Sequence, residues 1–184
     1  HLKGHFTIYR HAMAVMRKQE TGGSILGITS GAFTASTAQP NYSAAKGGIV
    51  SLTRSAAMTA ASISLRGGPS INANCLAPTA KTRMSENVPF EIETGEPSDI
   101  APMAVYLLSD KGREINAQIY SVVGRRISVW NQPREIRTMF APGDAWTPAE
   151  IEEMLPNTIK QEPNPFIDDL ERRMKEMAQD GGNQ

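Results

Sequence analysis

Residues 24–76 constrain the fold more than any other stretch of the chain. A short apolar run at 24–29 (SILGIT) follows a glycine pair. A long alanine-rich segment at 41–64 then carries Tyr42, Lys46, Val50 and Arg54 four apart, and residues 70–76 (SINANCL) alternate after the turn Arg66-Gly67-Gly68-Pro69. Short apolar runs between glycine breaks read as buried strands, whereas a repeat every three to four positions reads as a helix face. Strand, long helix, strand is the βαβ unit. A crossover of that length joins parallel strands, so the expected class is α/β with a doubly wound parallel sheet.

The same reading extends both ways. Residues 3–20 place Phe6, Tyr9, Met13 and Met16 at helical spacing, ended by Thr21-Gly22-Gly23. Residues 98–109 predict a helix with Ile100, Met103, Val105, Leu107 and Leu108, and residues 118–124 and 126–130 are strand-like. Three or four strands are few for a self-sufficient doubly wound sheet. The glycine-rich turn that leads such a sheet's first strand into a helix is missing, since Gly22-Gly23 precedes a strand and Gly67-Gly68 joins a helix to one. The chain, which opens on His1-Leu2-Lys3-Gly4, is therefore expected to hold only the C-terminal half of the fold, in residues 1–130.

Residues 131–184 form a distinct helical extension. Thr147-Pro148-Ala149-Glu150 carries capping-box residues with proline in first helical position, and Asn164-Pro165 starts a second helix with Ile167, Leu170, Met174 and Met177 along one face. That stripe is expected to pack on the domain or on a sister subunit.

Composition narrows the function classes. At 40% hydrophobic residues with zero net charge, a 184-residue chain has material for one full core and does not resemble a disordered segment. It has no apolar run long enough for a bilayer, and a pI near 7.0 gives nucleic-acid binding no support. One cysteine, Cys75, excludes an intrachain disulfide and points to a reducing cytoplasm. Charge is uneven: no acidic residue stands between Glu20 and Glu86, where Lys46, Arg54, Arg66, Lys81 and Arg83 are basic, while the chain from Asp144 onward is acidic. Solvated faces explain this as well as an anionic ligand in the first part and an acidic appendage in the second.

Tyr42 and Lys46 form Tyr-x-x-x-Lys, which puts both side chains on one helix face. An ammonium beside a phenol favours the phenolate, and such a tyrosine can exchange a proton with a carbonyl or alcohol oxygen. Ser30, at the end of the preceding strand, supplies a hydroxyl for the same oxygen. The pair alone is weak evidence: with four tyrosines, chance yields about 0.15 such pairs in a chain of this composition.

The pair stands in an ordered set: Ile28-Thr29-Ser30-Gly31, then residues 41–49 (NYSAAKGGI), then residues 72–78 (NANCLAP) and Thr82-Arg83-Met84. In that order the motifs resemble the C-terminal half of the short-chain dehydrogenase/reductase family, over about residues 1–130. The resemblance implies a Rossmann-like sheet and an NAD- or NADP-dependent oxidoreductase, with hydride passing between nicotinamide and a carbonyl or secondary alcohol. It makes Tyr42 the catalytic acid/base, Lys46 the residue that binds the nicotinamide ribose and favours the phenolate, and Ser30 the substrate-orienting hydroxyl. The family spaces that serine thirteen residues before the tyrosine; here Thr29 holds the thirteenth place and Ser30 the twelfth, as a one-residue loop deletion would give.

Pro78 and Thr82 match the loop over the nicotinamide and its phosphates, with Thr79 where the family has glycine. His1 stands where an asparagine usually supports a proton-relay water. His5, four residues on, has no Cys or carboxylate partner for a metal, and both histidines also read as ordinary helix residues. Cys75 is expected to be buried and inert. The Trp146-Thr147-Pro148 segment resembles extensions of a bacterial group akin to the dehydrogenase part of peroxisomal multifunctional enzymes, implying 3-hydroxyacyl thioester or hydroxysteroid substrates. The resemblance also implies a homo-oligomer through the helices at 3–20 and 41–64. Two further readings stay open: a non-catalytic truncated fragment that acts by associating with another chain, and a lyase or epimerase using the same Tyr and Lys.

Overall fold

The computed structural model describes residues 1–34, 39–83 and 93–180. These form two compact units, residues 1–131 and 132–184. In the first, α1 (Leu2–Met16) leads to β1 (Gly23–Ile28), α2 (Pro40–Leu65), β2 (Ile71–Thr79), α3 (Ala101–Leu108), β3 (Ile119–Val123) and β4 (Arg126–Val129). The four strands lie in sequence order, with β1–β2 and β2–β3 parallel. The last pair is antiparallel: Val123 faces Arg126 across a two-residue connection, Gly124-Arg125, too short for any crossover. Gly124 takes φ of 51°, a conformation that glycine adopts without penalty.

Helix α1 stops at Met16, short of the expected residue 20, because Arg17-Lys18-Gln19-Glu20 offers nothing apolar to bury. Strand β2 departs from the half-buried alternation that its sequence suggests, since every residue from Ile71 to Ala77 is buried. Its odd positions face the helices: Ala73 packs with Ile25, Tyr9 and Ala57, and Cys75 with Ile49, Val50 and Ile119. Its even positions include two asparagines whose side-chain N–H groups are taken by backbone carbonyls of residues 112–115, while Asn72 Oδ1 is buried without a hydrogen-bond partner. Asn72 donates to Gly112 at 3.0 Å and Ile115 at 2.8 Å, and Asn74 also donates to Ile115 at 2.8 Å while accepting from the Gln118 amide at 2.9 Å. A strand covered on both faces is what a parallel sheet requires.

One buried polar knot ties α1, α2 and β2. The Thr53 hydroxyl donates to the Ile49 carbonyl at 2.8 Å. Having one hydrogen, it accepts from Tyr9 Oη at 2.8 Å and Cys75 Sγ at 3.0 Å. Burial pushes the Tyr9 phenol up to about 12 and the Cys75 thiol up to about 11, so both stay protonated donors at neutral pH. Tyr9 crosses β1 at Gly27, where a β-carbon would overlap its hydroxyl.

In the second unit, α4 (Pro148–Met154) opens on the expected capping box: Glu150 accepts from the Thr147 amide at 2.8 Å and its own amide donates to Thr147 Oγ1 at 3.3 Å. Helix α5 (Pro165–Asp180) follows, with Asp169 paired to Arg172 and Arg173. The stripe residues Ile167, Leu170 and Met174 are exposed. No helix among the described residues is long and apolar enough to cross a membrane.

Candidate active site

The site forms where β1 ends. Thr29 and Ser30 leave the strand into a short turn at Gly31–Phe33, and the first turns of α2 bring Tyr42 and Lys46 back to the same end. Ile28 lies opposite Leu76 in parallel register, so Ser30 and Pro78 each stand two residues beyond a facing pair. The carboxyl ends of parallel strands are where α/β sheets hold ligands.

Lys46 is 6% exposed, a burial that an ammonium tolerates only with partners. Its Nζ donates to the Ile28 carbonyl at 3.0 Å and lies 5.6 Å from the centroid of the Tyr42 ring. Tyr42 itself is half-buried. The four-residue spacing thus puts phenol and ammonium side by side, with the ammonium held at the inner position.

Thr29 and Ser30 are separated by environment. Thr29 is 2% exposed; its amide donates to the Leu76 carbonyl and its hydroxyl to the Lys46 carbonyl, both at 2.8 Å. Its side chain belongs to the core. Ser30 is half-buried, and its Oγ accepts from the Ala32 amide at 3.3 Å, an arrangement that leaves the hydroxyl hydrogen to another acceptor. Phe33, at the end of that turn, packs on Trp130 with ring centroids 4.8 Å apart, and the Trp130 indole N–H donates to Ser121 Oγ at 2.6 Å. The aromatic pair seats the turn carrying Ser30 against β3. A lone aromatic in a small-residue loop was the available signal for Phe33.

His1 precedes α1, exposed, with its ring edge-on to Tyr42 at 5.8 Å and 78°. His5, which spacing alone marks as an ordinary helix residue, makes two hydrogen bonds. Its Nδ1 lies 3.1 Å from the His1 carbonyl, and its Nε2 accepts from the Ile28 amide at 3.3 Å. Burial and then the Lys46 charge hold its pKa below the ordinary 6.5.

Pro78 is half-buried at the end of β2. Thr82 lies exposed beyond the Ala80–Gly95 bridge, and Met84 lies outside the described residues. The described residues include no cluster of three or more His, Cys, Asp or Glu able to hold a metal. Ser30, Tyr42, Lys46 and His1 are therefore gathered at one end of β1, Pro78 stands at the neighbouring strand end, and Thr82 lies further along the same connection.

The profile of a family described as enoyl-(acyl carrier protein) reductase matches residues 1–124. Hydroxyacyl-CoA dehydrogenase ChsB1 of Mycobacterium tuberculosis is 32% identical over 167 residues, covering 82% of this chain and 51% of that protein. The peroxisomal multifunctional enzyme type 2 of Drosophila melanogaster is 31% identical over 126 residues, covering 67% of this chain and 20% of the enzyme. A short-chain dehydrogenase from Mycobacterium avium superposes with a TM-score of 0.70 at 33% identity, over 90% of this chain and 56% of that one. The chain spans about half the length of the first and last of these. The match to the Mycobacterium tuberculosis protein is also too long to end with the first unit, and so reaches the helical extension.

Proposed function

The chain belongs to the short-chain dehydrogenase/reductase family, and from that premise we propose that it is the catalytic half of an NAD- or NADP-dependent oxidoreductase acting on a carbonyl or secondary alcohol. The observation that carries this reading is the buried Lys46 beside Tyr42 at the carboxyl end of β1, with Ser30 following the same strand. In it, the Tyr42 hydroxyl gives or takes the proton at the substrate oxygen and the Ser30 hydroxyl holds that oxygen by a hydrogen bond. A nicotinamide cofactor, when bound, supplies the hydride donor or acceptor.

The residues fit the nicotinamide end of such a cofactor. Lys46 has three N–H donors, of which Ile28 takes one, and the others suit ribose hydroxyls. Pro78 and Thr82 would border the same ligand, and His1, against the Tyr42 ring, would support a relay of protons to solvent. No glycine-rich phosphate turn is present in the sequence, so the pyrophosphate and adenosine would need residues beyond these. The relatives' names support a hydroxyacyl thioester as substrate, through the hydroxyacyl-CoA dehydrogenase and the multifunctional enzyme. A homo-oligomer through α1 and α2 and a cytoplasmic location complete the proposal, the latter on the single free thiol.

The test is a fluorescence titration of the folded chain with NADH and NADPH, alongside Lys46→Ala. Saturable binding weakened by Lys46→Ala, with NAD(P)H consumed mole for mole as a 3-oxoacyl thioester is reduced, supports the reading. Binding without net redox change would point to a lyase or epimerase. A folded chain that binds neither cofactor would mean that these residues are the catalytic half of an enzyme whose cofactor affinity rests on residues beyond them.

A further inference from the structure

We propose that Trp130 is a positioning residue for Ser30: carried back onto the α2 face of the sheet by the β3–β4 hairpin, it holds Phe33 and, through it, the turn that presents the Ser30 hydroxyl. The consequence for catalysis rests on the proposed oxidoreductase reading, whereas the arrangement itself stands on the geometry.

Ser30 is secured on one side by its neighbour. Thr29 is tied to β2 and to α2, its amide to the Leu76 carbonyl and its hydroxyl to the Lys46 carbonyl. On the other side the hydrogen bonds are internal to the turn. The Ala32 amide donates to Ser30 Oγ at 3.3 Å, the Phe33 amide to the Ser30 carbonyl and the Thr34 amide to the Gly31 carbonyl, the last two at 3.1 Å. Bonds of this kind set the shape of a turn and leave its placement on the sheet to packing. Gly31 contributes no side chain, and Phe33 is the one large side chain in the turn. It stands over α2, its Cβ 4.0 Å from where a β-carbon on Gly47 would lie. Its ring packs on Trp130 with 4.8 Å between centroids and 59° between planes.

The sheet itself places Trp130 there. Successive residues of a strand alternate faces, so Ile119 and Ser121 of β3 share one. Ile119 packs with Ile49 and Val50, which makes that face the one α2 covers. The two-residue connection after Val123 turns the chain back antiparallel. The Trp130 amide then donates to the Ile119 carbonyl at 2.9 Å, one step beyond the Tyr120–Val129 pair. Trp130 therefore lies across from Ile119 on the α2 face, with Ser121 diagonal to it. The indole N–H donates to Ser121 Oγ at 2.6 Å, which keeps the ring from turning away from Phe33. Both aromatic rings pack against the cluster of Ile49, Val50, Cys75 and Ile119. The helix that carries Tyr42 and Lys46 and the turn that carries Ser30 thus meet at one aromatic contact. A reacting group displaced by about 1 Å costs on the order of 10²-fold in rate, so the seating of this turn bears directly on the chemistry.

The test uses the full chain labelled for NMR, with Trp130→Leu, which removes the ring and its N–H, and Trp130→Phe, which keeps a ring for Phe33. The reporter is the Ala32 amide, whose acceptor is Ser30 Oγ. In Trp130→Leu it should exchange with solvent roughly tenfold faster, as expected for a lost hydrogen bond, while the Thr29 amide keeps its wild-type rate. Trp130→Phe should bring the Ala32 rate most of the way back. An Ala32 amide indifferent to Trp130→Leu would overturn the proposal. So would a Thr29 amide that speeds up with it, since that marks general loosening rather than a displaced turn. If Trp130→Leu does not fold, Phe33→Leu carries the same expectations with apolar bulk kept on α2, and a wild type without ring-to-ring NOEs between Phe33 and Trp130 overturns the proposal by itself. Where the chain turns over NAD(P)H, Trp130→Leu should lower kcat by roughly 10–10²-fold with the KM for NAD(P)H unchanged, and should cost nothing further in a Ser30→Ala background. Losses that add in the double mutant would refute action through Ser30. A chain without turnover leaves the oxidoreductase reading unsupported, while the exchange rates still decide the role of Trp130.

Discussion

A lysine ammonium is costly to bury, and the side chain of Lys46 is arranged around that cost: Ile28 accepts one of its N–H bonds and the Tyr42 ring covers it from the side. If Tyr42 moves the proton in the reaction, Tyr42→Phe should lower kcat by roughly 10²–10⁴-fold, the range of general acid–base catalysis, with the fold intact by circular dichroism. Unchanged kcat would remove Tyr42 from the chemistry. The neighbouring hydroxyls separate in the same way. Ser30→Ala should lower kcat without lowering the melting temperature. Thr29→Val should cost about 1 kcal/mol of stability, for the buried bond to the Lys46 carbonyl, measured by urea denaturation. The reverse pattern would make Thr29 the substrate hydroxyl, as its thirteen-residue spacing from Tyr42 would have it. The four-residue interval put Tyr42 and Lys46 on one helix face, but their roles were read only from the ordered motifs around them. Spacing left Ser30 and Thr29 ambiguous, since only burial distinguishes them. It was silent on the bond from His5 to Ile28, because that partner is a backbone amide in a strand 23 residues away and leaves no trace in side-chain pattern.

Strand β1, helix α2 and strand β2 come together through small groups at their crossings. Gly27 is where Tyr9 passes over β1, so Gly27→Ala should destabilise the chain by about 1–3 kcal/mol, as overpacking does, and Tyr9→Phe should recover part of the loss by removing the overlapping oxygen. Additive effects in that double mutant would show that Tyr9 and Gly27 are not coupled. The same knot gives a pH dependence with a definite sign. The Cys75 thiol is raised from 9.0 to about 11 and the Tyr9 phenol from 10.0 to about 12, so the unfolded chain loses these protons first. Their stabilising contribution is whole below pH 9 and is lost as pH rises through 9 to 11 for Cys75 and 10 to 12 for Tyr9. The urea midpoint should fall between pH 8.5 and 10.5, and Cys75→Ala should flatten that fall. The elements themselves were readable from apolar period and from Pro and Gly punctuation. What the pattern concealed was burial: Asn72 and Asn74 look solvent-facing in SINANCL, and only carbonyls some forty residues later make them interior.

Across the whole chain, the first unit leaves apolar side chains uncovered on its helices. Phe6, Ile8 and Val15 on α1 and Met58 on α2 are each more than half exposed, as are Leu170 and Met174 of the α5 stripe in the second unit. Scattered apolar exposure is ordinary on a protein surface, but repetition along the helices that a family resemblance assigns to subunit pairing calls for a measurement. A self-associating chain would have a mass above 20.0 kDa by light scattering, rising with concentration. A lysine at an exposed apolar position costs little in an isolated subunit but strands a charge in an apolar interface. Phe6→Lys should therefore shift the wild-type mass toward 20.0 kDa if α1 and α2 pair copies of the chain, whereas Leu170→Lys should do so if the α5 stripe does. Dissociation by Phe6→Lys alone would put the contact on the helices that carry His5, Tyr42 and Lys46, so that subunit pairing and the proposed site share their scaffold. A wild type that stays at 20.0 kDa at every concentration would rule out the homo-oligomer and leave these side chains exposed without a partner copy.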